Sequence, residues 1–507
     1  MNYASTDDGL RWWAVNKPDK RFIVFQGDVV TFAEADAWVD RVARYLANNG
    51  AKAGERIGVI GVNSLEWAIA SLAILRVGGV HAPLSERSVI NEVRGLTEKT
   101  GTHLVLVADS HMTMMREASA LAPELKLLPL TQVCELRQGE NLRFERPDID
   151  IDSVAAIVYT SGSTGLPKGA TFTMRSLLSI IQEWALVEPA MGHEARIVGV
   201  LPLTPMGGFI NSILRPSVIG GTVFLMPKYD EREALRLLVE ERCSSLMAPP
   251  LIFQRISALP EFQQADLSAL SYAIIGGAPV PLDEFDKWVA RGAALRQTYG
   301  STEAGGHFSA MPIEGARQNP AGWGRGNVFR KVKALRPDGT PCKANEDGEI
   351  MVRGPGLMEG YWGDEEATAA AIKDGWLHTG DMGRYDENGI WKVTDRIKEV
   401  IITGGFNVGP TEVEKALLTL DGVVEAAVLK VADVTYGEAI GAIVNADRPL
   451  TAAEVVSHCR SHLANYKVPR YVLIVNELLP RSEQGKLSKV EMQKKYGASL
   501  AGSPRPQ

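Results

Sequence analysis

The chain contains 507 residues, more than one ordinary hydrophobic core accommodates, so we expect two or more domains. Its 45% hydrophobic and 23% charged residues are typical of a globular protein, and the net charge of −7 argues against a nucleic-acid partner. No apolar run approaches the roughly 18 residues of a membrane span, no signal-peptide core is present, and the four cysteines form no CxxC pair; we therefore expect a cytoplasmic location.

The first predicted helix lies within residues 28–50. Thr31 and Glu34 have the spacing of a capping box, apolar residues follow at helical intervals, and Gly50 stands where a helix commonly ends. A short strand at 57–60 and a helix at 65–75 come next. Further buried strands are predicted at residues 104–107, 155–159, 197–201, 222–225 and 272–275, with helical stretches between them. This alternation predicts an α/β fold with mainly parallel sheets.

After about Gly322 the pattern changes to short strands separated by turns, at residues 331–335, 348–353 and 390–393. This pattern predicts an antiparallel, barrel-like subdomain. A smaller α+β unit follows, with strands at 424–431 and 471–475 and a helix at 451–463. Residues 480–489 are predicted to form an exposed loop, in which Lys489 is interpreted as a surface residue.

A loop rich in glycine and hydroxyl side chains follows the strand-like residues 154–158. Glycine lets the backbone approach a ligand closely, and successive N–H and hydroxyl groups can surround phosphate oxygens while a lysine adds positive charge. The loop lacks the Gly-Lys-Ser/Thr ending of the common P-loop, which argues against a P-loop kinase or ATPase. It is predicted to bind a triphosphate, and its sequence is Tyr159-Thr160-Ser161-Gly162-Ser163-Thr164-Gly165-Leu166-Pro167-Lys168-Gly169.

Four further polar segments occur in a fixed order after this loop. They are Tyr299-Gly300-Ser301-Thr302-Glu303-Ala304, Trp376-Leu377-His378-Thr379-Gly380-Asp381, Asp395-Arg396-Ile397-Lys398-Glu399 with the following Gly404-Gly405, and Gly485-Lys486. Together the five motifs closely resemble the adenylate-forming superfamily of acyl-CoA synthetases, peptide-synthetase adenylation domains and luciferases. The resemblance covers nearly the whole chain and is closest to the acyl-CoA synthetases.

The resemblance implies a large N-terminal domain, residues 1–395, and a small mobile α+β C-terminal lid, residues 396–507. It also implies an acid–CoA ligase that uses ATP, Mg²⁺ and coenzyme A. A carboxylic acid attacks the α-phosphorus of ATP to give acyl-AMP and pyrophosphate, and the thiol of coenzyme A then takes the acyl group. A homodimer is a possible assembly.

The resemblance assigns roles to residues that match the motifs. Thr302 would hydrogen-bond the α-phosphate, Glu303 would hold Mg²⁺, and Tyr299 would stack on adenine. Asp381 would accept hydrogen bonds from the ribose, with Arg396 nearby. Lys486 would bind the attacking carboxylate together with the α-phosphate, and Lys398 would be the hinge of the lid. The remaining predicted nucleotide- and thiol-binding residues are Thr160, Ser161, Gly162, Ser163, Thr164, Gly165, Lys168, Gly276, Gly277, Ala278, Gly300, Ser301, Gly404 and Gly405.

The sequence also offers candidate residues for an acyl pocket. An apolar lining with glycines suits an aliphatic, aromatic or alicyclic acid, and its candidate residues are Trp184, Met206, Gly207, Phe209 and His307. Many relatives carry an aromatic-His pair where this chain has Thr204-Pro205, so no histidine role is assigned there. Trp184 could equally be a core residue, and His307 is interpreted as structural.

Two alternatives remain open from the sequence. The enzyme could pass its acyl group to a carrier-protein thiol, although no carrier domain is evident in the chain. A non-catalytic nucleotide- or acyl-binding protein on the same scaffold is the other alternative. The joint presence of Lys168, Glu303, Asp381, Arg396 and Lys486 argues against it.

Overall fold

A computed structural model of the chain describes residues 5–120, 124–160, 167–276, 281–403, 406–433, 436–463, 465–482 and 486–503. The backbone divides into two compact units. The first contains residues 1–332 and 352–378, and the second contains residues 333–351 and 379–507. This division assigns residues 333–351 and 379–395 to the same unit as the C-terminal residues. The sequence-based boundary between residues 395 and 396 stays a prediction.

The first unit contains an eight-stranded sheet whose six inner strands are parallel and whose two edge strands are antiparallel to their neighbours. Its parallel strands are continuous apolar runs such as Thr222–Leu225 and Tyr272–Ile275, buried along their whole length, as is usual for parallel sheets covered on both faces. In spatial order the strands are Gly306–Ala310, Leu295–Ser301, Tyr272–Ile275, Ser245–Ala248, Arg196–Gly199, Thr222–Leu225, Arg21–Phe25 and Asp28–Thr31.

A seven-stranded sheet also lies in the first unit. Five of its strands are parallel. The hairpin after Thr160 adds the antiparallel strand Lys168–Thr173, and the distant strand Gly360–Tyr361 pairs antiparallel with it at the edge. This edge carries the predicted phosphate-binding loop, so the sheet holds both described ends of that loop. In spatial order the strands are Gly360–Tyr361, Lys168–Thr173, Val154–Thr160, Val80–His81, Arg56–Ile60, Leu104–Val107 and Lys126–Pro129.

The second unit contains a five-stranded sheet with strands Phe406–Val408, Ile401–Thr403, Gly437–Ala446, Val423–Asp433 and Tyr471–Val475. The unit also holds most residues of another five-stranded sheet, in which Trp376–Tyr385 and Trp391–Arg396 pair antiparallel. The other strands of that sheet are Lys331–Leu335, Gly348–Arg353 and Ile372–Lys373.

Helices separate the strands in both units, as the sequence pattern predicts. Those of the first unit are Thr6–Asn16, Phe32–Asn48, Leu65–Arg76, Ile90–Thr100, Asp109–Ala120, Leu130–Glu135, Met174–Val187, Met206–Phe209, Arg215–Ile219, Glu231–Val239, Pro250–Ser257, Leu282–Ala290, Ile313–Ala316 and Glu365–Ala371. A π-helical turn, Ile210–Leu214, precedes Arg215. Those of the second unit are Pro410–Leu418, Ala452–His462 and Lys489–Ala501. Short 3₁₀ turns occur at Pro189–Met191, Pro260–Gln264, Ile397–Glu399 and Asn465–Lys467.

The predicted capping box is present: Thr31 accepts from the backbone N–H of Glu34, and the Glu34 carboxylate accepts from the backbone N–H of Thr31. Gly50 follows the helix with φ of +99°, where a side chain would be strained. Residues 28–31, included in the predicted helical segment, instead form an edge strand because the helix begins only after its cap. No helix in the described ranges is long and apolar enough to span a membrane.

Candidate active site

The predicted phosphate-binding loop connects two antiparallel strands. Thr160 is paired with Lys168 across the hairpin, and Tyr159 is paired with Gly169. The hydroxyl of Thr160 lies 3.4 Å from the carbonyl oxygen of Lys168, to which it donates. This pairing brings the first hydroxyl and the lysine of the motif together. The predicted loop residues Ser161, Gly162, Ser163, Thr164 and Gly165 lie outside the described residues.

Tyr361 joins this hairpin to the Glu303 motif and was not predicted from the sequence. It pairs with Ala170 on the strand that begins at Lys168. The Nζ of Lys168 lies 5.1 Å from the centre of the Tyr361 ring, within the range of a cation–π interaction. The Tyr361 hydroxyl donates to Oε1 of Glu303 at 3.0 Å. One aromatic side chain therefore contacts both charged residues that the sequence assigned to the ATP phosphates and Mg²⁺.

Glu303 lies in the turn between the strands Leu295–Ser301 and Gly306–Ala310. The carbonyl of Thr302 accepts a hydrogen bond from the backbone N–H of Gly305 at 2.9 Å, which closes the turn. The hydroxyl of Ser301 accepts a second hydrogen bond within the same turn. The backbone N–H of Met358 donates to the Glu303 carbonyl at 2.9 Å, so the segment before Tyr361 also holds this turn. Thr302 and Glu303 are both half-buried.

Gly300 is required by a close approach of two backbones. A Cβ atom at this position would lie 2.1 Å from the carbonyl oxygen of Gly306, a distance that no side chain tolerates. The register also shifts between Tyr299 and Gly300, which marks a bulge in the hairpin. The glycine of the motif is therefore explained by the path of the hairpin itself.

Tyr299 is half-buried and packs against two aromatic side chains. Its ring centre lies 4.6 Å from that of Trp323, and Phe308 approaches it edge-on at 5.4 Å. This packing fixes the ring plane, as an adenine-stacking residue requires. Gly276 follows the strand Tyr272–Ile275, and a Cβ atom there would lie 3.0 Å from a methyl group of Thr298. The neighbouring Gly277 and Ala278 lie outside the described residues.

Two of the predicted acyl-pocket residues contact each other. Trp184 and His307 stack with ring centres 4.6 Å apart, and the Trp184 indole N–H donates to the His307 carbonyl at 3.1 Å. Nε2 of His307 lies 3.0 Å from the Tyr272 hydroxyl. Desolvation, and then repulsion from Arg215, lower the pKa of His307 well below its usual value, so the imidazole is neutral.

The other candidate pocket residues differ in exposure. Met206 and Phe209 are buried, and Phe209 packs against His81 with ring centres 4.5 Å apart. Gly207 is half-buried, and a Cβ atom on it would lie 3.5 Å from the terminal methyl of Met247. Trp184 is also buried, in a cluster with Met191, Tyr272 and Ile274.

Asp381 and Arg396 form an ion pair within the second unit. They are paired on adjacent antiparallel strands, and Nε of Arg396 lies 3.0 Å from Oδ1 of Asp381. Asp381 is buried, whereas the Arg396 side chain is mostly exposed. The backbone N–H of Asp381 also donates to the Thr379 hydroxyl at 3.1 Å. The carboxylate predicted to bind the ribose is thus held in a fixed position.

Lys486 lies in the same unit as this ion pair. Its carbonyl accepts from the backbone N–H of Ser482 at 2.6 Å, and the pairing of Arg481 with Leu487 closes the turn around it. Although residue 486 is exposed, desolvation of the ammonium and repulsion from Arg396 lower the pKa of Lys486, while Asp381 opposes this shift. An ammonium of lowered pKa that also interacts electrostatically with Asp381, the carboxylate predicted to bind the ribose, fits the predicted adenylation lysine.

Lys398 lies on the 3₁₀ turn Ile397–Glu399, between the two sheets of the second unit in sequence. Gly404 and Gly405 lie outside the described residues, although the strands on either side of them pair with each other. Lys489, interpreted from the sequence as a surface residue, is instead half-buried. Its ammonium forms ion pairs with Glu399 at 2.8 Å and Glu414 at 2.9 Å, because the helix it begins packs beside these glutamates.

A magnesium ion at Glu303 fits the chemistry of this carboxylate. Tyr361 donates to Oε1, and within the described ranges no hydrogen bond is found to Oε2. Nor do three His, Cys, Asp or Glu side chains converge anywhere in those ranges. Mg²⁺ commonly binds one or two carboxylates and completes its coordination with substrate phosphates and water. Glu303 can serve as such a single carboxylate ligand.

Sequence profiles of known families match most of the chain. The AMP-binding enzyme family matches residues 10–362, and the C-terminal domain of AMP-binding enzymes matches residues 412–486. The chain belongs to the AMP-binding enzyme family. The predicted superfamily is therefore confirmed.

Similar proteins agree with this assignment. The chain is 33% identical to a feruloyl-CoA synthase from Amycolatopsis sp, over 97% of this chain and 100% of that protein. It is 30% identical to the long-chain-fatty-acid–CoA ligase FadD13 from Mycobacterium tuberculosis, over 93% and 94%. The solved structure of o-succinylbenzoate coenzyme A synthetase from Bacillus subtilis, in complex with ATP and magnesium ion, superposes with a TM-score of 0.84. That structure is 27% identical and is matched over 94% of this chain and 97% of its own.

These comparisons confirm the predicted α/β fold, with its large N-terminal domain of parallel sheets and its small C-terminal domain. They also confirm the predicted enzyme class, an ATP-dependent acid–thiol ligase that forms acyl-AMP and uses coenzyme A, with ATP and Mg²⁺ as the predicted cofactors. The substrate is a small-molecule carboxylic acid.

Proposed function

We propose that this acid–CoA ligase activates its acid with the residues that the five motifs predict, and that Tyr361 holds two of them in place. The observation that carries the proposal is the contact of one tyrosine with Lys168 and Glu303. Motifs from distant parts of the sequence thus meet at a single side chain. A cation for the phosphates and a carboxylate for a metal ion are the groups that adenylation by Mg·ATP requires.

In the first half-reaction, Lys168, Thr160 and the loop that follows Thr160 hold the β- and γ-phosphates. Thr302 hydrogen-bonds the α-phosphate and Tyr299 stacks on the adenine. Glu303 would hold Mg²⁺, and the ion would supply positive charge beside the phosphates. Each of these groups acts by binding and orienting the substrate. This role suits attack at phosphorus, where positioned donors and positive charges must offset the negative charge of the phosphate oxygens.

In the second unit, Asp381 accepts hydrogen bonds from the ribose hydroxyls, and Arg396 holds its carboxylate. Lys486 binds the attacking carboxylate and the α-phosphate together. We further propose the domain boundary at residues 395 and 396, with Lys398 as the hinge. Rotation there after adenylation would withdraw Lys486 and bring the segment of Gly404 and Gly405 to the thiol.

The relatives favour an acid with a conjugated, aromatic or extended aliphatic carbon chain, since one is named for feruloyl-CoA and another for long-chain fatty acids. The packed pair of Trp184 and His307 fits such a chain as one wall of the acyl pocket. We propose free coenzyme A as the acceptor in preference to a carrier protein. A homodimer and a cytoplasmic location remain part of the proposal.

The variant Lys486→Ala tests whether Lys486 acts in the adenylation step and not in thioester formation. We expect the variant to lose most acid-dependent exchange of pyrophosphate into ATP, because no ammonium then bridges the attacking carboxylate and the α-phosphate. It should still convert supplied acyl-AMP to the thioester. Lys489→Ala is the matched control, since it removes a neighbouring lysine that is paired with Glu399 and Glu414. Equal losses of Lys486→Ala in both half-reactions would contradict the proposal.

A further inference from the structure

A buried arginine follows the π-helical turn Ile210–Leu214, and two of its three guanidinium nitrogens have no hydrogen-bond partner among the described residues. Arg215 is 0% exposed, and its Nη1 donates to Oδ1 of Asn211 one helical turn earlier. Its Nε and Nη2 find no hydrogen-bond acceptor among the described residues. No carboxylate of those residues forms an ion pair with it either. A buried charge without a partner is strongly destabilising, so this guanidinium needs an explanation.

The two unused nitrogens are the ones that share an edge of the guanidinium plane. Nε–H and the outer N–H of Nη2 point in parallel and match the two oxygens of a carboxylate. The third nitrogen is already used by Asn211, which therefore fixes the orientation of the plane. This edge of the guanidinium can therefore donate two parallel hydrogen bonds to one carboxylate.

Arg215 is connected to the acyl pocket through its neighbours. Asn211 also donates from Nδ2 to the carbonyl of Gly207 at 2.7 Å, and Gly207 is a predicted pocket residue. Arg215 acts electrostatically on Tyr272 and on His307, and the Tyr272 hydroxyl lies 3.0 Å from Nε2 of His307. The positive charge therefore acts on His307, which stacks against Trp184.

A small cavity of about 10 Å³ opens between the π-helical turn and the strands of the eight-stranded sheet. Asn211, Ser212, Ser245, Met247 and Tyr272 are among the residues that line it. This volume admits about one water molecule. Met247 has an unbranched, flexible side chain, and its rotation would enlarge the space. A π-helical turn inside a helix is often found at a functional site.

We propose that the acid substrate carries a second carboxylate, remote from the one that is adenylated, and that Nε and Nη2 of Arg215 bind it at the inner end of the acyl pocket. This inference rests on the proposed function, because it assigns the substrate of the same acyl pocket. The neighbouring histidine is neutral, so Arg215 is the group that supplies the charge. Tyr272 and Asn211 place polar atoms beside the bound carboxylate.

The test compares dicarboxylic acids of increasing chain length with their own monomethyl esters in acid-dependent pyrophosphate exchange. The ester keeps the atoms of the second carboxyl group but removes its charge. We expect the wild-type enzyme to favour the best dicarboxylic acid over its ester by about 100-fold in kcat/KM, the size typical of a buried charged hydrogen-bonding pair. A ratio near one or below at every chain length would overturn the inference.

Arg215→Met then assigns the preference to this residue. We expect the variant to lose the 100-fold ratio through its loss on the dicarboxylic acid, while its rate with the ester is retained or increased. Arg296→Met is the matched control: Arg296 lies 5.1 Å from the same Tyr272 ring, but its head group is paired with Glu188 at 2.7 Å. The control should lower the melting temperature and leave the ratio unchanged.

The outcomes separate this inference from the proposed function. If the wild-type enzyme showed strong exchange with monocarboxylic acids only, the inference that the substrate carries a second carboxylate would be wrong, and the ligase assignment would stand. Exchange with neither class of acid would overturn both. A ratio that persists in a folded Arg215→Met variant would refute the role of Arg215, and if that variant does not fold, the wild-type ratio by itself decides.

Discussion

The hydroxyl of Tyr361 donates a hydrogen bond to Oε1 of Glu303 at 3.0 Å. Desolvation, and then the negative charge of Glu303, raise the pKa of Tyr361, so the phenol keeps its proton and remains a donor. The ring of the same residue lies against the ammonium of Lys168. Tyr361 therefore contacts the proposed metal-binding carboxylate through its hydroxyl and the proposed phosphate-binding lysine through the face of its ring.

Tyr361→Phe is predicted to raise the Mg²⁺ concentration needed for half-maximal adenylation by about tenfold. The substitution removes a hydrogen bond to a carboxylate, worth about 1.5–3 kcal/mol, and leaves the ring beside Lys168. Pyrophosphate exchange measured over a magnesium titration checks this result. Tyr361→Leu, which also removes the ring, should in addition raise KM for ATP. An unchanged magnesium requirement in Tyr361→Phe would show that Glu303 is positioned by other contacts.

The pKa of Lys486 predicts a pH dependence that differs between the two half-reactions. Because the pKa is lowered, the ammonium becomes neutral at a lower pH than an ordinary lysine. We expect adenylation to fall on the alkaline side as the proton is lost, with a midpoint below 10.5, the ordinary value for lysine. Thioester formation from supplied acyl-AMP should lack this limb. Identical alkaline limbs for both half-reactions would argue against Lys486 as the group that titrates.

Arg330→Met is predicted to destabilise the first unit by about 3–5 kcal/mol. Arg330 and Glu183 form an ion pair at 2.9 Å in which each side chain is 1% exposed, so the variant leaves a buried carboxylate without its partner. Arg330 also donates to the carbonyl of Ala304, directly after Glu303. Chemical denaturation checks the stability. The exposed pair of Arg232 and Glu261 provides a control, since Arg232→Met should change stability by less than about 1 kcal/mol.

The raised pKa of Asp395 predicts that the stability of the folded protein changes with pH between about 4 and 6. Desolvation raises the pKa of Asp395 to about 6 from 3.8, which means that the folded chain binds this proton more tightly than the unfolded chain. The associated stability is fully present below the unfolded pKa and is lost as pH rises through about 6. Asp395→Asn should therefore raise the melting temperature at pH 7 relative to wild type and remove this difference near pH 4. An equal shift at both pH values would contradict the assignment.

Lys398→Pro is predicted to impair one half-reaction more than the other. Proline fixes φ near −65° and would hold the proposed hinge in one conformation. Parallel assays of pyrophosphate exchange and of thioester formation from acyl-AMP measure the two steps. Lys398→Ala is the matched control, since it removes the side chain and leaves the backbone free. Wild-type rates of Lys398→Pro in both assays would show that the hinge lies elsewhere.

Much of the architecture could be predicted because it follows from local pattern. Alternating apolar strands and amphipathic helices specify parallel α/β sheets, and the capping box at Thr31 and Glu34 forms as its spacing predicts. The extent of each element was less predictable. Residues 28–31 form a strand because they pair with Arg21–Phe25, and the sequence of residues 28–31 alone does not indicate this pairing.

The candidate site shows the same division. Thr302, Glu303 and Gly300 lie on one tight hairpin, so their proximity was already given by their adjacency in the chain. Lys489 was misjudged because its two glutamate partners come from other segments of the second unit. Tyr361 was missed because a tyrosine in a Gly-Tyr-Trp run carries no chemical signal until the strand that holds it is paired.

By itself, the sequence determined the chemistry of this protein, because its five ordered motifs resemble those of the adenylate-forming superfamily and each motif lies within a few consecutive residues. Only the tertiary structure decided which distant side chains complete those motifs. Tyr361 reaches Glu303 through strand pairing, and Arg215 is buried with Nε and Nη2 unpaired within the described part of the chain. Side-chain contacts between remote segments depend on packing, and packing is a property of the whole fold.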